Sequence, residues 1–249
     1  MIMRRSAAEL AVMREAGRVT ARALTAVGDA VVPGVTTKEL DDVAVAVIEA
    51  AGAKPAFKGY HGFPATICAS RNCEVVHGIP GSKIRLVEGD IISIDMGAIV
   101  DGYFGDSART FPVGRVSEQA TALMDATRLS LEAGIAQCVP GNRLYDIGAA
   151  VQAVAEGAGF SVVREYVGHG IGRAMHEDPQ VPNYGTAGKG ATLMAGMVLA
   201  IEPMVNAGKA GVRQLDDGWT VVTADGKLSA HFEHTVAITE DGPWILTLE

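Results

Sequence analysis

Four carboxylates and one imidazole occupy places where a lone polar group is costly. Asp95 ends the run Ile91-Ile92-Ser93-Ile94, Glu202 ends Met197-Val198-Leu199-Ala200-Ile201, and Glu233 sits in the middle of Ser229–Ile238, read as one strand. An ionised carboxylate buried without a partner costs several kcal/mol, so Asp95 and Glu202 call for a cation or a shared proton. The segment from Ile91 to Asp106 reads as a β-hairpin with Asp101-Gly102 as its two-residue type I′ turn. Paired residue numbers then sum to 203, and Asp106 faces Gly97. Asp95, two residues from Gly97, shares that face and lies diagonal to Asp106 at ~7–8 Å between Cα atoms. Two carboxylates converge where a glycine leaves room, and they repel, share a proton or hold a cation. Taken alone, Asp106 reads equally well as a surface carboxylate before Ser107, and Asp101 belongs to the turn.

His169 lies in Gly168-His169-Gly170-Ile171-Gly172, where glycines let other backbone approach the ring. With it, the four carboxylates carry about −4, enough to balance two divalent cations. Oxygen-rich ligation with one nitrogen suits Mn, Fe, Co or Zn in a two-metal site with ions ~3.5–4 Å apart. His231 and His234 are read as surface residues.

The elements that must position these groups come in two copies. Val32-Pro33-Gly34 recurs as Val139-Pro140-Gly141, Ala51-Gly52 as Ala158-Gly159, Leu86-x-x-Gly89 as Leu193-x-x-Gly196, and Ile94-Asp95 as Ile201-Glu202, all 107 residues apart. In each copy a helix (Ala7 to Val31; Glu118 to Cys138) stops at the Pro-Gly pair. A second amphipathic helix (Thr37 to Ala51; Leu144 to Ala158) ends at a glycine, and β-branched strands follow (Asp90 to Met96; Met197 to Ile201). Two α-α-β halves related by an approximate two-fold, sharing one sheet with a cleft at its centre, make a single α+β domain.

The 249 residues are 48% hydrophobic and 20% charged, too apolar for disorder. The mass of 25.9 kDa implies a folded surface of roughly 10,500 Å². A net charge of −8 argues against broad nucleic-acid or anionic-membrane binding. No apolar stretch follows the N-terminal arginines and none approaches membrane-spanning length, so a soluble cytoplasmic protein is expected. Cys68, Cys73 and Cys138 form no CxxC pair and read as reduced thiols.

Together, Val76-His77-Gly78-Ile79-Pro80, Ser93-Ile94-Asp95, Gly102-Tyr103-Phe104-Gly105-Asp106, Gly168–His176, Ile201-Glu202-Pro203-Met204 and Phe232-Glu233-His234-Thr235 resemble the motif set of type I methionine aminopeptidase, from about Arg4 to the C-terminus. The resemblance implies the pita-bread (creatinase/aminopeptidase) fold over residues 1–249, with internal halves of about 12–112 and 119–240. It implies that Asp95 binds a first metal, Asp106 and Glu233 bridge both, and His169 and Glu202 bind the second, the ions being Co, Mn, Fe, Zn or Ni. His77 and His176 are implied to contact the substrate near its terminal amine and scissile amide, and His176 has no placement from periodicity. Tyr60, Phe63, Cys68, Met175 and Trp219 match the methionine pocket, an apolar, sulfur-bearing lining suited to an unbranched thioether. Phe63 and Met175 stand where bacterial relatives carry tyrosine and phenylalanine. Carbonyls near Asn72, Glu74 and Ser229 are implied to hold a monovalent cation.

The activity implied is removal of the N-terminal methionine from nascent proteins and peptides with a small penultimate residue. A water between the metals attacks the first peptide bond, Glu202 moves the proton, and His77 and His176 steady the amide. The expected partners are nascent N-termini and the ribosome near its exit tunnel, and the expected quaternary state is a monomer. A prolidase or X-Pro aminopeptidase is disfavoured because only about 30 residues precede the first Pro-Gly break. A type II enzyme is disfavoured because 31 residues between Glu202 and Glu233 leave no room for a helical insert. A catalytically dead binding module would lose ligands and gain basic residues, and the chain does neither.

Overall fold

The computed structural model describes all 249 residues, Met1–Glu249. Helix α1 spans Ala7–Ala30, α2 Thr37–Ala50, α3 Glu118–Ile135 and α4 Leu144–Gly157. Local chemistry sets their starts. The Ser6 hydroxyl accepts from the Glu9 N–H at 3.4 Å while Glu9 accepts from the Ser6 N–H at 2.8 Å, and Thr36 with Glu39 repeats this box on α2. Past the ends of α2 and α4, Gly52 and Gly159 take left-handed φ values of 70° and 85°.

The 107-residue repeat holds at the level of single bonds. Gly34 N–H donates to Leu86 O at 2.8 Å and Gly141 N–H to Leu193 O at 3.0 Å. The Thr36–Arg85 bridge recurs as Arg143–Thr192. The short pairing of Lys54–Pro55 with Ile99 and Ala98 recurs as Ser161–Val162 with Asn206 and Val205.

Nine strands carry the site: β1 Ile67–Arg71, β2 Ile91–Val100, β3 Tyr103–Pro112, β4 Gly168–Gly170, β5 Glu177–Val181, β6 Val198–Ile201, β7 Met204–Asn206, β8 Ser229–His231 and β9 His234–Thr239. In the first half the antiparallel order is β1-β2-β3, and in the second β9-β6-β4-β5 with β8 on β7. The β2–β3 hairpin has the expected register, Gly97 opposite Asp106. Asp101 and Gly102 take φ values of 48° and 78°, as a type I′ turn requires.

The stretch from Ser229 to Ile238, expected as one strand, is two, parted at Phe232-Glu233. Its partner is parted at Glu202-Pro203, where proline has no N–H to give the ladder. Register survives both breaks: Met204 faces His231 on one side and Ile201 faces His234 on the other, so Glu202 stands opposite Glu233.

The halves join where β3 runs beside β8 and β9. Glu233 N–H donates to Ala108 O at 2.9 Å, and Ala108 N–H to Glu233 O at 3.4 Å. On either side a threonine hydroxyl bridges strands that have splayed apart. Thr235 Oγ1 accepts from Asp106 N–H at 3.0 Å and donates to Asp106 O at 2.8 Å. Thr110 Oγ1 accepts from His231 N–H and donates to His231 O, both at 2.9 Å. The two-fold therefore passes through the Ala108–Glu233 pair, and this seam makes the sheet continuous between halves.

The helices pack mainly on one face, with only Leu10 and Met13 at the start of α1 meeting Val198 and Ala237 on the other. Val19, Ala23 and Val27 of α1 and Leu40, Ala44 and Ile48 of α2, each set at four-residue spacing, pack on Ile92, Ile94, Met96 and Ala98. Leu131 and Ile135 with Leu144 and Ile147 cover Leu199, Ile201, Val236 and Ile238. Each Val, Leu, Ile or Met among them contributes about 1.5–3 kcal/mol on full burial. Strand alternation sends Asp95, Gly97, Ala200 and Glu202 to the opposite face. The accessible surface is 10357 Å², close to the value expected from mass. No helix is long and apolar enough to cross a membrane.

Candidate metal centre and active-site pocket

The five proposed ligands fall in two neighbouring rows across the sheet. One row runs Cys68, Asp95, Ala108, Glu233, Glu202, each residue opposite the next. The next runs Gly97, Asp106, Thr235, Ala200, His169. Directly opposed residues share a face, as do residues two apart on one strand, so all five side chains rise from the face opposite the main helical layer. Ala108, Thr235 and Ala200 keep that face low between them.

The space expected beside Gly97 is used differently. A Cβ there would meet Gly105 O at 2.8 Å and the Ala56 Cβ at 3.0 Å, with Phe57 at 3.3 Å. The glycine thus lets the pocket wall pack down, and it is Ala108 that leaves room between Asp95 and Glu233. The glycines around His169 act as expected. A Cβ on Gly170 would meet Asp178 O at 2.1 Å, and one on Gly168 would meet Ala200 O at 2.3 Å.

One ligand atom from each of Asp106, His169 and Glu233 lies within 4.8 Å of the other two. Asp106 and Glu233 are 4% and 2% exposed, so Asp106 is no surface carboxylate. Asp95 Oδ1, Asp106 Oδ1 and Glu233 Oε1 are buried with no hydrogen-bond partner. Among the residues lining the cavity none is lysine or arginine. Burial pushes the Asp106 carboxyl up to about 7. Asp95 is driven well above the ordinary range by burial and then by Asp106, Glu202 by burial and then by Asp95 and Asp106, and Glu233 by burial and then by Asp106 and Glu202. Burial lowers His169 to about 4, which keeps its ring neutral. Its Nδ1 lies 3.0 Å from Gly170 O; as a carbonyl only accepts, Nδ1 carries the proton and Nε2 presents a lone pair. Orphaned carboxylate oxygens, a free imidazole nitrogen and no cationic side chain form a donor set that fits divalent cations.

The cavity, about 240 Å³, brings Tyr60, Phe63, Cys68, His77, Met175, His176 and Trp219 against the five ligands, so every residue implied for binding or catalysis lines one space. Phe63 and Trp219 meet edge to face at 5.1 Å between ring centroids. Cys68 is buried next to Asp95, and burial followed by that charge holds its thiol well above the usual range. The Tyr60 hydroxyl lies 2.7 Å from His176 Nδ1, and the His176 ring stands 4.2 Å from that of His169. His77 has φ 61°, a left-handed conformation that a non-glycine residue keeps only under constraint. Burial lowers His77 to about 4 and also lowers His176.

His176 sits in the loop between Gly172 and Glu177, which the N-terminus ties down. Glu177 Oε1 accepts from Arg173 N–H at 2.8 Å and Ala174 N–H at 3.2 Å, while Glu177 Oε2 pairs with Arg5. Nothing in the sequence spacing signals that pair, 172 residues apart.

His231 and His234 are not surface residues. His231 is 1% exposed, and His234 is half-buried with Nδ1 2.8 Å from Thr247 Oγ1. Phe57 and His61 also line the cavity, and no motif quoted above includes them. Asn72, Glu74 and Ser229 meet outside it. Asn72 O accepts from Ser229 N–H at 2.8 Å, and Glu74 accepts from Arg71 N–H at 2.7 Å.

The model of metallopeptidase family M24 matches residues 11–240. Methionine aminopeptidase 1 of Bacillus subtilis (strain 168) is 55% identical over 247 residues, 99% of either chain. The crystal structure of a methionine aminopeptidase from Thermotoga maritima superposes with a TM-score of 0.99 at 47% identity, covering 100% of both chains. A prolidase from Pyrococcus furiosus reaches a TM-score of 0.79 at 22% identity over 99% of this chain and 65% of that one, a likeness of fold alone.

Proposed function

Because the chain belongs to metallopeptidase family M24, in its methionine aminopeptidase branch, we propose that it removes the N-terminal methionine from nascent proteins and peptides whose penultimate residue is small. The observation that carries this reading is the convergence on one cavity of four carboxylates and an imidazole, three of the carboxylates with an orphaned buried oxygen, together with two neutral histidines and an apolar, sulfur-bearing wall.

Asp95, Asp106, His169, Glu202 and Glu233 would hold two divalent ions, Co, Mn, Fe, Zn or Ni, with Asp106 and Glu233 shared between them. When bound, the ions bring the pKa of water near neutrality and polarise the scissile carbonyl. Glu202 is the proton carrier: a carboxylate oxygen takes a proton from the attacking water and returns it to the leaving amine. With the Tyr60 O–H donating to Nδ1, the His176 ring keeps Nε2–H as its donor to the developing oxyanion. His77, fixed by its backbone and packed 5.8 Å from the Tyr166 ring and 6.4 Å from Trp219, holds the amide from the other side. Phe63, Cys68, Met175 and Trp219 exclude water around the methionine side chain.

The same reading places the enzyme in the cytoplasm as a monomer meeting nascent chains at the ribosomal exit, with a monovalent cation near Asn72, Glu74 and Ser229 supporting the first half. The test is metal-supplemented hydrolysis of Met-Ala-Ser, Met-Leu-Ser and X-Pro dipeptides. Fast release of methionine from the first alone supports the proposal. Turnover of X-Pro dipeptides without Met-Ala-Ser overturns it.

A further inference from the structure

His231 is the one buried imidazole here with neither ring nitrogen hydrogen-bonded. Buried polar atoms are nearly always paired, so a ring with two orphaned nitrogens is unexplained by packing. The main chain of His231 is satisfied, since its N–H and carbonyl both meet Thr110 Oγ1 at 2.9 Å. The side chain alone is left over.

Its direction is set by the sheet. His231 lies two residues from Glu233 and opposite Met204, which puts it on the ligand face in the row beyond Glu202 and Glu233. The seam adds a second observation. Thr110 bridges to His231 as Thr235 bridges to Asp106, so the two-fold places His231 where the first half carries Asp106. Glu202 therefore stands between two imidazoles. His169 Nε2 lies 3.4 Å from Glu202 Oε1, and His231 Nε2 lies 3.8 Å from Glu202 Oε2. His169 has its Nδ1 anchored on Gly170 O and offers a lone pair, whereas His231 has no anchor and is free to carry its proton on Nε2.

We propose that His231 is a positioning residue for Glu202: its Nε2–H bonds Glu202 Oε2, fixes the carboxylate between the two rings and leaves Oε1 to the side where His169 stands. The present 3.8 Å is a contact that a small rotation of either side chain closes to hydrogen-bond length. His231 acts through Glu202 and touches no substrate. The inference rests on Glu202 being a ligand and proton carrier, as proposed above.

The experiment is calorimetric titration of metal-free wild type, E202Q, H231Q and H231L with Mn²⁺, each variant checked for a cooperative melt. Glutamine keeps an N–H that reaches Glu202, and leucine keeps bulk without a donor. Expected are two binding steps in wild type and loss of the weaker step in E202Q. H231Q should keep that step within about threefold, and H231L should weaken it 10–100-fold with the tighter step unchanged, the range typical for partners that orient ligands. In turnover, H231L should lower kcat and H231Q should restore it. If H231L titrates as wild type while E202Q loses a step, the role of His231 is wrong and that of Glu202 stands. If E202Q keeps both steps, the reading of Glu202 falls and His231 with it. If H231Q is as damaging as H231L, the ring itself is required and the positioning role is overturned. Should H231L fail to fold, H231M fills the same irregular space with no donor and decides the matter.

Discussion

Glu202 and Glu233 stand opposite each other across a break shared by two paired strands, with register unchanged on either side: Ile201 on His234, Met204 on His231. An uninterrupted ladder would fix both carboxylates at the standard cross-strand spacing. The break frees their backbone while the flanking pairs keep them aligned, and Pro203 ensures that the ladder cannot close. The two halves also differ at this point. Asp95 recurs as Glu202 after 107 residues, but Ala108 recurs as Glu233 after 125. The extra length lies between β7 and β8, where Val221–Thr223 pairs back onto Glu74–Val76 beside His77 and Trp219 is delivered to the pocket.

Metal-free stability should fall as pH rises above 6.5. Asp95, Asp106, Glu202 and Glu233 have raised values in the fold, so the folded chain holds protons that the unfolded chain has released, and stability is lost through about 7 for Asp106 and as the other three ionise. His77, His169, His231 and His234, lowered to about 4, 4, 3 and 4, act oppositely, but only between those values and the unfolded value of 6.5. Above it the carboxylates act alone, at up to about 1.4 kcal/mol per pH unit for each group. Thermal melts in chelator from pH 6.5 to 8.5 should show a falling Tm, flattened by D106N and by added Mn²⁺. A Tm that rises over this range contradicts the burial of unpaired carboxylates.

Y60F should lower kcat/KM for Met-Ala-Ser roughly 3–10-fold, the value of one neutral hydrogen bond. The Tyr60 hydroxyl does no chemistry of its own; donating to Nδ1, it would leave the His176 proton on Nε2. An unchanged kcat/KM would mean that the tautomer is held by something else.

Arg5 should matter to a pocket it does not line. Its buried pairing with Glu177, which also caps the Arg173 and Ala174 N–H groups, anchors the loop bearing Met175 and His176. R5A leaves a carboxylate short of its partner, and about 3 kcal/mol of destabilisation is expected in urea unfolding. KM should rise, because loosening the loop disperses Met175 and His176. Wild-type stability and KM in R5A would show that the loop holds itself.

Much of this was legible in the sequence. Helix ends followed from Pro33-Gly34 and Pro140-Gly141, and the hairpin register from Asp101-Gly102, because turn chemistry acts within a few residues. The five proposed ligands stand out in the sequence as acids and an imidazole in apolar or glycine-rich surroundings. Three things were not. Strand breaks at Glu202 and Glu233 lie inside apolar runs whose pattern continues across them. His231 carried a usable signal, two residues from Glu233 and hence on its face, but a histidine beside alanine and phenylalanine reads equally well as a surface group. The Arg5–Glu177 pair depends on tertiary closure that no local pattern encodes.

D106N and E233Q should each abolish turnover of Met-Ala-Ser, by more than about 10³-fold, since each removes a carboxylate proposed to hold both ions. Neither should unfold the metal-free chain, because each replaces a buried carboxyl whose oxygen has no hydrogen-bond partner. A Tm drop of more than a few degrees in chelator would mean that these carboxylates are structural.

Anomalous diffraction from crystals grown with Mn²⁺ tests the central claim most directly. Two peaks ~3.5–4 Å apart are predicted, contacted by Asp95, Asp106, His169, Glu202 and Glu233, with Asp106 and Glu233 touching both. A single peak, or peaks away from these five side chains, would contradict the account.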